Sequence, residues 1–454
     1  MKQHRIQLNK AMIVTILTLA WPTMLEQLLQ TAVQYIDTAM VGSLGTQATA
    51  AVGATTTVNW LIGSTISALG VGFLSFIARS RGAGDHAGAK KAVAQAVLVT
   101  VLCGVFFTVL TLGLSGVIPV WMQVDESIRT LSGQYFFILY LPMLPRTATI
   151  IFGTVLRAAG DTKTPMKIGV GVNLINVVLN FLLIYPTRTI RGITVPGAGM
   201  GVIGAAAASA IAFACGGIAI TAVLWRHPAI SPRGERFRPD RDILEPCLKV
   251  AMPNMLQRFG TSLGYVAFAS MINNLGDVAT AAHTIANTVE SAFYIPGYGM
   301  QTAAATLAGN AWGARDRQRL RDLTGMFIPI EVGLMILSGG ALFAAAPVLM
   351  DLFSDSPQVI GLGTTVLRMV ALSEPAYGFS IIIEGMMLGM GNTRKPFVYN
   401  ILGMWGVRIL GTFLCTVVFS GGLVEAWGCM IAHNLLLFAL FLGCHLRGDL
   451  TNMV

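Results

Sequence analysis

Twelve apolar stretches, each long enough to cross a bilayer, follow one another with short polar breaks between them. About twenty apolar residues span the hydrocarbon core. On that ruler the segments are 13–41, 48–78, 93–116, 131–156, 168–185, 199–225, 250–274, 279–309, 324–346, 361–389, 398–420 and 426–445. Inside lipid every backbone N–H and C=O must be satisfied internally, which leaves helices for uninterrupted stretches of this length. Composition agrees: 54% of the 454 residues are hydrophobic and 11% charged, with a mean hydropathy of +0.69. The chain is expected to be an all-α polytopic membrane protein.

The net charge of +9 would suit a nucleic-acid partner if it formed one face, but it does not. One alternating set of loops holds 23 of the 30 basic residues, beginning with Lys2, Arg5 and Lys10 and ending with Arg447. The opposite loops carry Asp125, Glu126, Asp351 and Asp355, and only Arg188 and Arg191 dissent. The positive-inside rule then places both termini in the cytoplasm of a multi-pass plasma (cytoplasmic) membrane protein. The partners expected on this reading are the lipid bilayer and no nucleic acid. The six cysteines show no CxxC or metal spacing and read as reduced packing residues.

The chain repeats itself. Pro253 stands 231 residues after Pro22, and the same shift lays Gly313-Ala314-Arg315-Asp316 on Gly82-Ala83-Gly84-Asp85. It also lays Gly391-Asn392-Thr393-Arg394-Lys395-Pro396 on Gly160-Asp161-Thr162-Lys163-Thr164-Pro165. Six segments per half is an even number, so both halves enter from the same side. The expected architecture is two six-helix bundles, 1–225 and 250–454, related as parallel repeats about a pseudo-twofold along the membrane normal. Residues 226–249, rich in Pro and Arg, read as a cytoplasmic interlobe linker.

The first segment reads as a helix broken by Pro22 and carrying Asp37. A carboxylate in hydrocarbon costs roughly 2.5–3.5 kcal/mol on insertion scales and marks a functional position by default. The expectation is a carboxylate cycling between protonated and ionised or cation-bound forms. Asn173, Asn176 and Asn180 fall at spacings of three and four, so they share one helical face. The counterparts of Asp37, Asn176 and Asn180 in the second half are Phe268, Val407 and Gly411. A polar set confined to one half suits a shared site better than symmetric packing.

Taken together, Asp37-Thr-Ala-Met-Val-Gly42 after the early proline, Leu156-Arg-Ala-Ala-Gly-Asp-Thr-Lys-Thr-Pro165, Glu290-Ser-Ala-Phe-Tyr-Ile-Pro-Gly-Tyr-Gly299 and Met387-Leu-Gly-Met-Gly-Asn-Thr-Arg-Lys-Pro396 resemble the multidrug and toxic compound extrusion (MATE) family. The resemblance implies export of organic cations and drugs, driven by a proton or sodium gradient through alternating access. It implies a coupling carboxylate at Asp37 supported by Asn176 and Asn180, with a Na⁺ at Asp37 as the one metal reading and no cofactor. The pattern looks closer to the DinF-like than the NorM-like branch, because Pro253-Asn-Met-Leu-Gln-Arg-Phe-Gly-Thr261 has no acid. Small amphiphilic cationic substrates and a monomeric chain are further implications.

Glu290, Tyr35, Phe293, Tyr294 and Tyr298 are candidates for a substrate cavity, since ring faces attract cations. Glu290 reads equally well as the ion-pair partner of Arg258, with Glu384 paired to Arg408. Glu331, His283 and His433 read as satisfied interior groups. Gly199-Met-Gly201-Val-Ile-Gly204 matches GxGxxG, yet it opens an Ala-rich membrane helix with no strand expected before it, so small-residue packing explains it better. There is no HExxH, GxSxG or Walker motif, hence no catalytic residue and no expectation of an enzyme. The alternative to an antiporter is a lipid or lipid-linked oligosaccharide flippase, which would want a strongly cationic cavity. The deep arginines Arg146, Arg258 and Arg408 each have a candidate acidic partner, which argues against it.

Overall fold

In the computed structural model residues 2–452 are described, apart from the side chains of residues 2–9, 54, 57, 451 and 452. Lys2 and Arg5, two of the topogenic charges, lie outside the described side chains. The elements in order are α1 (Lys2–Gly42), α2 (Thr46–Gly82), α3 (His86–Leu114), the short α4 (Ile118–Trp121), α5 (Glu126–Tyr140), α6 (Met143–Ala158) and α7 (Lys163–Leu183). A hairpin of β1 (Pro186–Ile190) and β2 (Ile193–Ala198) precedes α8 (Gly201–Arg226). Then come α9 (Arg241–Asn273), α10 (Asp277–Gly313), α11 (Arg317–Phe353), α12 (Pro357–Ala371), α13 (Glu374–Met390) and α14 (Arg394–Ile401). π-helical Leu402–Ile409, α15 (Leu410–Phe413) and π-helical Leu414–Val418 continue α14, and α16 (Leu423–Leu446) and α17 (Asp449–Asn452) close the chain.

The protein is a multi-pass membrane protein. Among the described residues eight helices are long and apolar enough to cross a bilayer. The count rises to ten if α5–α6 and α12–α13, each bent by 51°, are one span apiece. The helices α9 and α10 fall outside that count although they run 33 and 37 residues. They carry Arg258 and Gln257, and His283 and Glu290, so composition alone does not mark them.

Two expectations need correction. The first helix is not interrupted at Pro22: α1 runs continuously through it, as α9 does through Pro253. Proline removes one i→i−4 hydrogen bond and bends a long helix more often than it ends it. The all-α reading also missed the hairpin. It turns at Arg191-Gly192, both at positive φ (50° and 84°), the two-residue turn whose twist suits antiparallel strands. The dissenting Arg188 lies in this hairpin, 4.0 Å from the ring centre of Tyr185 and 4.4 Å from that of Phe181.

The repeat is written into the backbone. Gly45, Gly84 and Gly160 have positive φ, and so do Gly276, Arg315 and Gly391, each 231 residues later. The closing bonds recur too: Asp85 N–H donates to Ser80 O and Asp316 N–H to Ala311 O. Asp161 N–H donates to Leu156 O, and Asn392 N–H to Met387 O. Each closes a helix C-terminus by a 6→1 bond that the left-handed residue permits.

The chain divides into two compact units. One comprises Met1–Gln27, Ala78–Asp85 and Leu248–Val454; the other comprises Leu28–Ile77 and His86–Cys247. The first has its core where Ile16 and Ala20 meet Met300, Leu307, Phe327, Ile382 and Met386. Here α10 and α13 approach through small residues, with no room for a Cβ on Gly389 against Ala305 O or on Gly309 against Gly389 O. In the second unit Gly204 plays that part, because a Cβ there would lie 2.5 Å from Leu183 O. A strand, β2, does precede this glycine motif, contrary to the sequence reading. It belongs to an antiparallel hairpin rather than a βαβ unit, so the close helix approach remains the physical account.

Candidate functional site

Asp37 lies on α1 five residues before the helix ends, half-buried. Two amides of α7 converge on it. Asn176 Nδ2 donates to Asp37 Oδ2 at 3.0 Å, and Asn180 Nδ2 donates to Oδ1. Both asparagines are buried, at 8% and 1% exposure. The spacing of four on one helix brings both amides to the same carboxylate, one oxygen each. Ser209 of α8 donates to Asn176 Oδ1 at 3.4 Å, which fixes that amide with its NH₂ toward Asp37. Asn173 shares the face but makes no side-chain hydrogen bond among the described residues.

Sequence reading missed Ser209 and Tyr135. Tyr135 of α5 is buried at 9% exposure and within electrostatic reach of Asp37. Neither carried a signal, since a lone Ser in an Ala-rich helix and a Tyr in an apolar one are ordinary. Tyr35 is 42% exposed on the same helix as Asp37.

In the other unit the charged pairs are not those expected. Arg258 has Glu384 as its electrostatic partner, and Gln257 Nε2 donates to Glu384 Oε1 at 2.7 Å. Glu290 has Arg408 instead. The partners are exchanged because helix faces, not distances along the chain, decide which charges meet. Arg408 stands over the rings of Tyr265 and Phe268, at 4.8 and 4.3 Å. His283 is satisfied as expected, accepting from Trp427 Nε1 at 3.1 Å. Glu331 and His433 are not: both oxygens of the one and both nitrogens of the other are buried without a partner among the described residues.

Tyr294 and Tyr298 follow Glu290 at intervals of four on α10 and meet Tyr377 of α13. The Tyr298 and Tyr377 hydroxyls are 2.7 Å apart, and Tyr294 packs edge-on against both rings. Phe293 turns elsewhere, into the core with Phe268 and Trp427, and its carbonyl accepts from Ser338 Oγ. Glu374, at the start of α13, is an electrostatic neighbour of Glu290. Among the described residues no group of three or more His, Cys, Asp or Glu could hold a metal.

The family described as MatE matches residues 22–182 and again 253–414. The chain belongs to the MatE family. It is a membrane transporter, not an enzyme. A probable multidrug resistance protein NorM from Thermotoga maritima is 25% identical over 417 residues, spanning 92% of this chain and 88% of that one. An outward-facing multidrug resistance MATE family transporter of the MOP superfamily superposes with a TM-score of 0.90, at 24% identity, covering 97% of this chain and 96% of that one. A MOP superfamily transporter from Pyrococcus furiosus, whose structure is described as having a binding pocket of reverse polarity, superposes at 0.88 with 25% identity over 96% of each chain.

These relatives overturn the expected DinF-like placement. The name NorM recurs among them, in Thermotoga maritima, Neisseria meningitidis and Photorhabdus laumondii. The expectation rested on a few positions, chiefly the missing acid near Pro253, whereas similarity accumulates over some 400 residues. The buried acids of this half stand on α10, α11 and α13 instead of α9.

Proposed function

We propose that this chain is a secondary active efflux transporter that exports small amphiphilic organic cations by proton- or sodium-coupled antiport, with Asp37 as the coupling carboxylate. The observation that carries the reading is the pair of buried amides, Asn176 and Asn180, hydrogen-bonded to a carboxylate inside a membrane helix. Twelve helices in two six-helix lobes, 1–225 and 250–454, joined by a cytoplasmic linker, would rock about the membrane normal. Both termini would be cytoplasmic and the chain monomeric. An ion arriving from outside neutralises Asp37, and that shifts the two-state equilibrium because its interaction with the ion differs between the states.

Both amides point NH₂ groups at Asp37. A proton can be taken up and released there without moving them, and the buried Asn180 Oδ1, which has no partner among the described residues, is an oxygen that a sodium ion could use. The flippase alternative would call for a strongly cationic cavity, yet Arg258 and Arg408 each have a glutamate within electrostatic reach, and Arg146 lies over the rings of Tyr140 and Phe213. Transport in proteoliposomes under separately imposed pH and sodium gradients tests the coupling. Asp37→Asn should abolish export at normal membrane expression, and unimpaired export by that variant would remove Asp37 from its role.

A further inference from the structure

Apart from the Asp37 site, the second unit holds a cavity of about 530 Å³ between the start of α3 and the segment leading into α9. Volumes of roughly 300–1,000 Å³ are those of small-ligand sites. The cavity is built around one buried side chain. Gln95, at 3% exposure, donates Nε2 to Arg238 O at 2.7 Å and accepts at Oε1 from Asp240 N–H at 3.0 Å. This amide clamp holds the backbone of the segment against α3 and presents Arg236, Arg238 and Arg241 beside Lys91.

The cations there outnumber the acids, four to two in the lining. Arg241 is engaged with Glu245 at 3.2 Å. Lys91, Arg236 and Arg238 have no ion-pair or side-chain hydrogen-bond partner among the described residues. The lining also holds two acids, Glu235 and Asp240, the second of which accepts from Asp242 N–H at the start of α9. Topogenic charges need only be present in a loop; here three unpaired cations are held around one concave space. Phe237 lies between the two arginines in sequence, is 45% exposed, and stacks on Trp225 at the end of the membrane helix α8. An exposed ring anchored to a Trp at a helix end suits the zone where headgroups meet acyl chains.

We propose that this cavity binds the phosphate headgroup of an anionic phospholipid of the cytoplasmic leaflet. The apolar ring beside the cations favours a lipid over free phosphate, and basic pockets on the cytoplasmic side of membrane proteins hold such headgroups. The assignment of leaflet rests on the proposed orientation of the chain.

The test is native mass spectrometry of the full-length purified protein with phosphatidylglycerol and phosphatidylcholine in detergent, where binding does not depend on orientation. The wild type should prefer phosphatidylglycerol. Lys91→Gln/Arg236→Gln/Arg238→Gln should weaken that binding on the order of 100-fold, since each surface cation contributes about a factor of five. Single Arg238→Gln, expected near fivefold, serves if the triple variant does not fold. No preference in the wild type, or an unchanged preference in the variants, overturns the proposal. Competition by millimolar inorganic phosphate as strong as that by phosphatidylglycerol would assign the cavity to free phosphate and overturn the lipid. Labelling of Glu235→Cys in intact cells by an impermeant maleimide, above the background of the native cysteines, would overturn the leaflet without touching the binding result.

Discussion

The guanidinium of Arg408 stands 4.3 Å from the ring centre of Phe268. Phe268 occupies in the second half the place that Asp37 holds in the first, and Arg408 stands where the first half has Val177. One internal repeat has thus been filled with opposite chemistry. A carboxylate receives two amides in one half, and an arginine lies on aromatic faces with a glutamate as partner in the other. Ring faces attract a desolvated cation by about 2 kcal/mol, so the second arrangement suits a permanent charge better than an exchanging one.

Asn176→Leu and Asn180→Leu should each slow export by about 10- to 100-fold, because a hydrogen bond to a charged group is worth about 1.5–3 kcal/mol. Asn173→Leu should leave the rate within about twofold, although it shares the same helical face. Drug efflux from cells expressing each variant at matched levels decides this. Equal loss in all three would mean that the face serves packing alone.

Arg408→Met should destabilise the fold, because it leaves the buried Glu290 without the cation within its electrostatic reach. Adding Glu290→Gln should recover more than half of that loss. Thermal unfolding of the four proteins in detergent closes the cycle. Additive losses would show that Glu290 and Arg408 do not depend on each other.

Gly389→Ala should lower Tm sharply or prevent folding, because its Cβ would strike the carbonyl of Ala305 and force α10 away from α13. Gly340→Ala, on α11 with nothing within 4 Å of a Cβ, should be neutral or stabilise by about 0.5–1 kcal/mol. Similar Tm values for the two would refute close approach as the reason for Gly389.

Asp449 accepts from Lys395 Nζ at 2.7 Å, which holds its carboxyl below the ordinary value of 3.8. A depressed folded value stabilises the fold above the ordinary pKa, and the gain is lost as pH falls through the folded value. Tm should therefore decline below about pH 4, with a shallower decline in Asp449→Asn. Parallel curves would show that other carboxylates govern acid sensitivity.

The bilayer as solvent and the 231-residue repeat were legible in the chain before any coordinates, and so was the shared face of Asn176 and Asn180. Hydropathy and helical periodicity are local quantities, and left-handed turns at Gly84 and Arg315 recur because the same short motif closes both helices. The hairpin at Arg191-Gly192 was readable in principle, from the alternation of Thr and Ile on either side. It was hidden by the apolar runs that flank it.

The sequence by itself determined that this is a two-fold repeated, multi-pass membrane transporter with the carboxylate of Asp37 set into its first helix. Only the tertiary structure decided who meets whom. Ser209 orients Asn176, Glu384 faces Arg258, Glu290 faces Arg408, and Gln95 clamps a segment more than 140 residues away. Periodicity tells which side of a helix a residue occupies. It carries no information about which of a dozen neighbouring helices will be packed against that side, because that choice is made by the summed fit of whole helix faces.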